Sequence, residues 1–259
     1  MNGSFYKYHG AGNDFILFDN RLGDFNLDQA AIVRLCDRRF GVGADGLMTL
    51  NQSSDSDFHL DYYNADGSLG SLCGNGSRCA VALAHQLQMI GEKTQFSAAD
   101  GIHTARLDPQ KKLVALDMHD VKTIEDRKES IFLDTGSPHD VRLVDQLNDL
   151  DVEHLGRQLR EDIYGPEGAN INFIEQKSSN TFAIRTYERG VEAETLACGT
   201  GAVAAAIAMH YSQKTSATSL ELYALGGTLH ISFNPTAEGY TDVVLTGPAA
   251  FVFKGDLAS

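Results

Sequence analysis

One local pattern occurs twice in this chain. Cys73-Gly74-Asn75-Gly76 opens the run CGNGSRCAVALA, and Cys198-Gly199-Thr200-Gly201 opens the run CGTGAVAAAIA, with the two cysteines 125 residues apart in a chain of 259. Each copy has the same grammar of cysteine, glycine-rich turn and helix start. A repeat spaced at nearly half the chain points to two similar domains, each presenting the beginning of a helix. The length accommodates two modest domains, each large enough to bury a core. Residues 1–118 are expected to carry Cys73 and residues 119–248 to carry Cys198, with the C-terminal strand 249–259 a candidate to complete the first domain.

Periodicity fills in the domains. Apolar residues alternate at Val114, Leu116 and Met118, at Phe182, Ile184 and Thr186, at Leu220, Leu222 and Ala224, and at Leu229, Ile231 and Phe233, which predicts half-buried strands. Helical spacing is clearest over Leu27 to Arg39, Asn75 to Met89, Val152 to Glu161 and Gly201 to Tyr211. The fold class is mixed α and β.

Charge narrows the partners. Lys and Arg number 21 against 35 Asp and Glu, a net charge of −14 whose field repels phosphate backbones and anionic lipid. Neither nucleic acid nor membrane is an expected partner. The first twenty residues hold no apolar run of signal-peptide length, and no later run reaches the length of a membrane helix, so a cytoplasmic location is expected. The four cysteines, Cys36, Cys73, Cys79 and Cys198, are too few for a disulfide scaffold and are read as thiols. Cys36, beside Ile32, Val33 and Leu35, and Cys79, on a face with Leu83 and Leu87, read as core.

Cys73 and Cys198 read differently. A cysteine at a helix start meets unsatisfied backbone N–H groups and the positive end of the macrodipole, which favour thiolate and lower the thiol pKa from about 8.5 toward about 3.5 to 7.5. The glycines let consecutive N–H groups point at one anion such as a carboxylate. If two such thiols flank one carbon, one removes a proton as thiolate while the other delivers a proton, and the stereocentre inverts. The dipole contributes about 0.3 to 2 kcal/mol and a directed oxyanion donor about 2.7 to 4 kcal/mol, so the N–H cradles dominate. Other readings stay open at this point: a racemase for another amino acid, a non-catalytic amino-acid-binding module, or a thiol-redox protein or cysteine hydrolase. The last pair lacks a close C-x-x-C and a Cys-His-Asn order. GAGND and GVGADG fit neither a dinucleotide nor a P-loop spacing, and no histidine or cysteine spacing suggests a metal site.

The segments GAGNDF (Gly10 to Phe15), YNADG (Tyr63 to Gly67), CGNGSRC (Cys73 to Cys79), GSPH (Gly136 to His139), GANINF (Gly168 to Phe173), YERG (Tyr187 to Gly190) and ETLACGTGA (Glu194 to Ala202) together resemble the diaminopimelate epimerase family, in that family's order. The resemblance implies two pseudo-symmetric α/β (α+β) domains, each a barrel-like, mostly antiparallel sheet around a central helix. It also implies a cofactor-independent two-base epimerase interconverting LL- and meso-2,6-diaminopimelate in lysine and peptidoglycan precursor synthesis. No cofactor, pyridoxal phosphate included, and no metal are expected; the partners expected are the small-molecule substrate and a second copy of the chain in a homodimer. By position, Cys73 and Cys198 would be the acid/base pair. Gly74, Asn75, Gly199 and Thr200 would supply the N–H cradle, Asn13, Asn64, Asn170 and Arg189 would orient the substrate's distal head, and His139 and Glu188 would tune the cysteines, with Glu188 also at the substrate. Three departures touch substrate recognition. Gly46 stands where many relatives have Gln, Ser137 replaces the usual Asn before Pro-His, and RGVEAET is one residue longer than the commoner form.

Overall fold

The computed structural model describes residues 3–70 and 73–257; residues 258 and 259, the end of the expected last strand, lie outside that range. The chain divides into two compact units, Met1–Leu116 with Gly247–Ser259, and Asp117–Thr246.

The first unit opens with an antiparallel hairpin of β1 (Gly3–Gly10) and β2 (Asn13–Asp19). Its tight turn takes left-handed backbone at Ala11 (φ 52°) and Gly12 (φ 85°). Helix α1 (Gln29–Cys36) crosses to β3 (Gly46–Asn51), which runs parallel to β2 and pairs antiparallel with β4 (Phe58–Asn64). Helix α2 (Gly74–Gln86) then crosses to β5 (Lys93–Ala98), parallel to β4, and β6 (Gly101–Asp108) and β7 (Leu113–Asp117) follow as an antiparallel meander.

The second unit repeats this order. β8 (Ile124–Arg127) and β9 (Ser130–Asp134) form a hairpin, and β9 pairs antiparallel with β10 (Pro138–Leu143). Helix α3 (Val152–Leu159) crosses to β11 (Asn170–Gln176), parallel to β10. β11 pairs antiparallel with β12 (Thr181–Glu188), whose far end bonds the short β13 (Ala193–Thr195). Helix α4 (Gly199–Tyr211) crosses to β14 (Ser219–Ala224), parallel to β12, before β15 (Gly227–Thr236) and β16 (Gly239–Pro248). The last strand, β17 (Ala250–Leu257), pairs antiparallel with β1 and belongs to the first unit.

Each unit wraps strands around a central helix. α2 packs on β1 to β4 and β6, and α4 on β9 to β12, β14 and β15. Every residue of α4 from Gly201 to Met209 is buried. A helix enclosed by sheet needs small apolar side chains on all faces, which is why this run is mostly alanine instead of amphipathic.

The two central helices match in detail. Their first residues, Gly74 and Gly199, and their last, Gln86 and Tyr211, keep the same offset of 125 as the cysteines, and a left-handed glutamine, Gln88 or Gln213 (both φ 58°), ends each. Met89 N donates to Ala84 O at 2.9 Å and Lys214 N to Met209 O at 3.0 Å, the six-residue closure of a Schellman motif in both copies.

The helix bounds differ from the periodicity in physically legible ways. α1 is shorter than Leu27 to Arg39 because Asp28 caps it, accepting from Ala31 N at 2.8 Å. α2 stops before Met89 because Gln88 turns left-handed, and α4 begins two residues before Gly201 because Cys198 is its cap. After Leu159, α3 widens into a π turn over Arg160–Tyr164. In α1 only Ile32 and Cys36 face the core, one turn apart, while Val33 is exposed. Cys36 and Cys79 are buried.

Candidate active site

Cys73 and Cys198 are both helix N-caps with nearly the same backbone, φ −103°, ψ 114° and φ −111°, ψ 114°. In each, the glycine-rich turn that follows lifts the first helical N–H groups toward the thiol end of the helix. Gly201 N donates to Cys198 Sγ at 3.4 Å, and the Thr200 hydroxyl lies 3.4 Å from the same sulfur.

In the first unit the cysteine is framed by the β1–β2 turn. Asn13 Oδ1 lies 3.7 Å from Cys73 Sγ and accepts from Asn75 Nδ2 at 3.2 Å, while Asn13 Nδ2 donates to Asp45 Oδ2 at 2.7 Å. The close approach needs glycine: a Cβ at Gly10 would stand 2.7 Å from Asn75 O, and one at Gly76 would collide with Met48. Behind Asn13 sits a charge network in which Asp14 receives Lys7 at 2.6 Å and Arg38 at 2.7 Å, and Arg38 also bonds Asp45 at 2.7 Å. Burial pushes the Asp14 carboxyl up, but Arg38 and Lys7 outweigh it and hold it at about 2. Asn64, at the end of β4, donates to Ser68 Oγ at 3.1 Å and its backbone closes the Asn64–Ser68 turn.

On α2 itself stands a residue to which the sequence assigns no role. Arg78 is fully buried; its Nη2 donates to Asn75 Oδ1 at 2.7 Å, its Nη1 to Gly74 O at 3.1 Å and its Nε to Pro248 O at 3.4 Å. Burial lowers the pKa of this guanidinium.

In the second unit a second buried polar cluster supports Cys198. A Cβ at Gly201 would stand 2.5 Å from Asn172 Oδ1, so Asn172 lies directly beneath the cap. Asn172 Nδ2 lies 3.1 Å from both Asp140 O and His139 Nδ1, and Thr186 Oγ1 donates to its Oδ1 at 3.0 Å. With Nδ2 donating, Nδ1 of His139 accepts, and the neutral ring carries its proton on Nε2. His139 is fully buried, and its Nε2 has no hydrogen-bond partner among the described residues. Burial, aided by the charge of Arg189, lowers its pKa to about 3.

Asn170 ties loops together. Its Nδ2 donates to Ser137 Oγ at 2.9 Å and Pro138 O at 3.1 Å, and its Oδ1 accepts from Arg189 N at 3.0 Å. The exposed Arg189 side chain donates to Glu167 O at 3.2 Å and reaches Ser137 Oγ at 3.5 Å. Glu188 Oε2 accepts from Thr195 Oγ1 at 2.8 Å. Within the first unit the structure therefore gathers Cys73, Gly74, Asn75 and Asn13, and within the second Cys198, Gly199, Thr200 and the His139–Asn172 pair. Arg189 and Asn170 are grouped around Ser137, and Asn64 stands in its own turn. Among the described residues no group of three or more His, Cys, Asp or Glu side chains is arranged to hold a metal ion, and no helix is long and apolar enough to cross a membrane.

The sequence pattern of the diaminopimelate epimerase family matches residues 5–124 and 131–252, the greater part of both units. The diaminopimelate epimerase of Flavobacterium psychrophilum is 48% identical over 251 residues, covering 96% of this chain and 98% of that protein. That of Chlorobaculum tepidum is 40% identical over 258 residues, covering 96% and 98%. The chain belongs to the diaminopimelate epimerase family. Its fold is shared by more distant solved structures, in line with the two-domain α/β architecture expected from the sequence. A phenazine biosynthesis protein of the PhzF family from Bacillus anthracis has a TM-score of 0.78 at 13% identity over 100% of both chains. A probable proline racemase from Agrobacterium radiobacter K84 has a TM-score of 0.65 at 14% identity, covering 98% of this chain and 92% of that one.

Ser137 Oγ takes bonds from both Asn170 and Arg189 and so joins the two. The loop after Arg189 is latched by Glu192, which takes left-handed backbone (φ 60°), accepts from Gly190 N at 2.9 Å and Tyr187 OH at 3.2 Å, and pairs with Arg160 at 3.1 Å. Asn172 could have been found in the sequence, since it sits two residues after Asn170 on one strand and so faces the same side. Arg78, three residues after Asn75, shares its helix face.

Proposed function

We propose that this chain interconverts LL-2,6-diaminopimelate and meso-2,6-diaminopimelate by a two-base reaction that uses the thiols of Cys73 and Cys198 and no cofactor, supplying lysine and peptidoglycan precursor synthesis. Family membership supports the reaction class and the substrate. The observation that carries the residue assignment is the paired cap: two cysteines with matching backbone angles at the first turns of two matching helices. One cysteine, as thiolate, removes the Cα proton; the other, as thiol, gives a proton to the opposite face, so each turnover leaves the pair with its protonation exchanged. The N–H groups of Gly74, Asn75, Gly199 and Thr200 hold the reacting carboxylate and stabilise charge moving onto it.

The support shell follows from the partners described above. Arg78 holds Asn75, and through it Asn13, at the Cys73 cap; Asn172 holds His139 and lies under the Cys198 cap. A neutral His139 adds no positive charge to the buried cluster that holds Asn172 under the Cys198 cap. Asn64, Asn170, Arg189 and Glu188 orient the distal amino-acid head, whose binding energy positions the reacting centre.

The chain works in the cytoplasm and pairs as a homodimer. β17 supports the pairing: it is bonded to β1 and leaves Phe251, Val252 and Phe253 exposed by 47%, 51% and 44%. Light scattering should give twice the chain mass, and Val252→Lys should give the single-chain mass; a wild-type monomer contradicts the dimer. The activity itself is tested by incubating the purified protein, stripped of pyridoxal phosphate and metal, with LL-diaminopimelate in heavy water. Meso product carrying deuterium at one Cα is expected. Equal turnover of alanine or proline would contradict the substrate assignment.

A further inference from the structure

We propose that Arg160, on the π turn after α3, is a positioning residue for Arg189: its ion pair with Glu192 locks together the two chain segments that aim the Arg189 side chain. The inference rests on the reading of Arg189 as a contact for the distal head of the substrate.

Two loops of the second unit meet at this guanidinium. Residues 165–169 lead from the π turn into β11, and residues 189–192 lead from β12 to β13. The first loop bends at Gly165 (φ 54°) and Gly168 (φ 64°), and its backbone bonds back to the π turn are long, 3.3 Å from Gly165 N to Glu161 O and 3.4 Å from Gly168 N to Tyr164 O. Such a loop needs a further hold, and Arg160 supplies it. A Cβ on Gly168 would stand 3.0 Å from Arg160 Nε, 3.1 Å from Nη2 and 3.2 Å from Cζ, so the guanidinium lies against Gly168 in the space a side chain would take. The same Nη2 pairs with Glu192 Oε1 at 3.1 Å in the second loop.

Arg189 is gripped by the neighbours of both contacts. Its Nη1 donates to the carbonyl of Glu167, the residue before Gly168, and the residue after it, Gly190, donates its N–H to the Glu192 oxygen that faces Arg160. Glu192 N closes the second loop on Glu188 O at 2.9 Å. Arg160 Nε is buried with no hydrogen-bond partner among the described residues, while the Arg160 and Glu192 side chains are 18% and 43% exposed. An ion pair this open contributes little to stability. What it fixes is the spacing of Gly168 and Gly190, and with it the direction in which the exposed Arg189 side chain leaves the second loop.

Arg160→Gln and Glu192→Gln each break the pair, the second while keeping the shape of an exposed side chain. Measured well below the unfolding transition, each should raise KM for LL-diaminopimelate about fivefold, a coupling of the size found between side chains in one network. kcat should fall by a smaller factor, because the grip on the distal head loosens while both thiols stay in place. The double variant should be no worse than the poorer single, since both changes remove one interaction. The urea unfolding midpoint of Glu192→Gln should stay at the wild-type value. An unchanged KM in Glu192→Gln, a loss confined to kcat, or single effects on KM that multiply in the double variant overturns the proposal and leaves the function reading standing. A wild-type protein that fails to epimerise LL-diaminopimelate overturns the function reading and this proposal with it.

Discussion

Asn75 and Arg78, three residues apart on α2, are joined by a 2.7 Å hydrogen bond from Nη2 to Oδ1, with both side chains withdrawn from solvent. A cation placed there spends its donors on Asn75, on the Gly74 carbonyl and on the Pro248 carbonyl. The last bond reaches the segment that leads into β17, so one guanidinium ties the Cys73 turn to the end of the chain.

Arg78→Met should therefore destabilise the protein by about 2 to 4 kcal/mol, because it takes the guanidinium away from the buried Asn75 Oδ1 and from the half-buried Gly74 and Pro248 carbonyls. Activity should fall further than stability alone requires, since Asn75 loses its anchor. Urea unfolding measures the first and kcat at a temperature well below the transition measures the second. A variant as stable and active as the wild type would contradict this role.

His139 should stay neutral across the range in which an ordinary histidine titrates. Its folded pKa of about 3 lies below the ordinary histidine value of 6.5, so the unfolded chain takes up the proton first. The stabilising contribution is complete above pH ~6.5 and is lost progressively as pH falls toward 3. Nitrogen-15 imidazole shifts should report the Nε2–H tautomer, unchanged from pH 8 to pH 4. A titration centred near 6.5 in the folded protein would contradict the burial argument.

Asp14 gives a second acid-sensitive contribution with a lower window. Its carboxylate is stabilised by Arg38 and Lys7, with a folded pKa of about 2 against 3.8 for the free group. The contribution, about 2 kcal/mol, is complete above pH ~4 and disappears as pH falls through 2. Asp14→Asn should lower the unfolding free energy at pH 7 by about that amount and flatten the acid limb between pH 4 and 2. An unchanged acid limb would contradict the ion-pair account.

The repeat was legible because its signal is local: a cysteine, a glycine-rich turn and a helix start leave the same mark wherever they occur. The strand alternation at Phe182 and Ile184, or at Leu229 and Ile231, was legible for the same reason, and those side chains are buried. Long-range polar satisfaction was not legible. Nothing near Arg78 announces that its partner is the Pro248 carbonyl, and although the spacing to Asn170 gives the face on which Asn172 stands, its partners His139 and Thr186 arrive only when β10 and β12 come alongside β11. The end of α2 was also hidden, because the residue that turns left-handed there, Gln88, is not the glycine that usually marks such a stop, whereas α4 ends at Tyr211 where the periodicity put it.

The central claim is that every inversion uses both thiols. The most direct measurement follows deuterium at Cα together with stereochemistry when Cys73→Ala and Cys198→Ala are each incubated with LL- and meso-diaminopimelate in heavy water. Both variants should lose inversion in both directions, since each turnover needs a base on one face and an acid on the other. Any remaining exchange should proceed with retention, as a single thiolate removes and returns a proton on its own face. Inversion near the wild-type rate by either variant would contradict the two-base account.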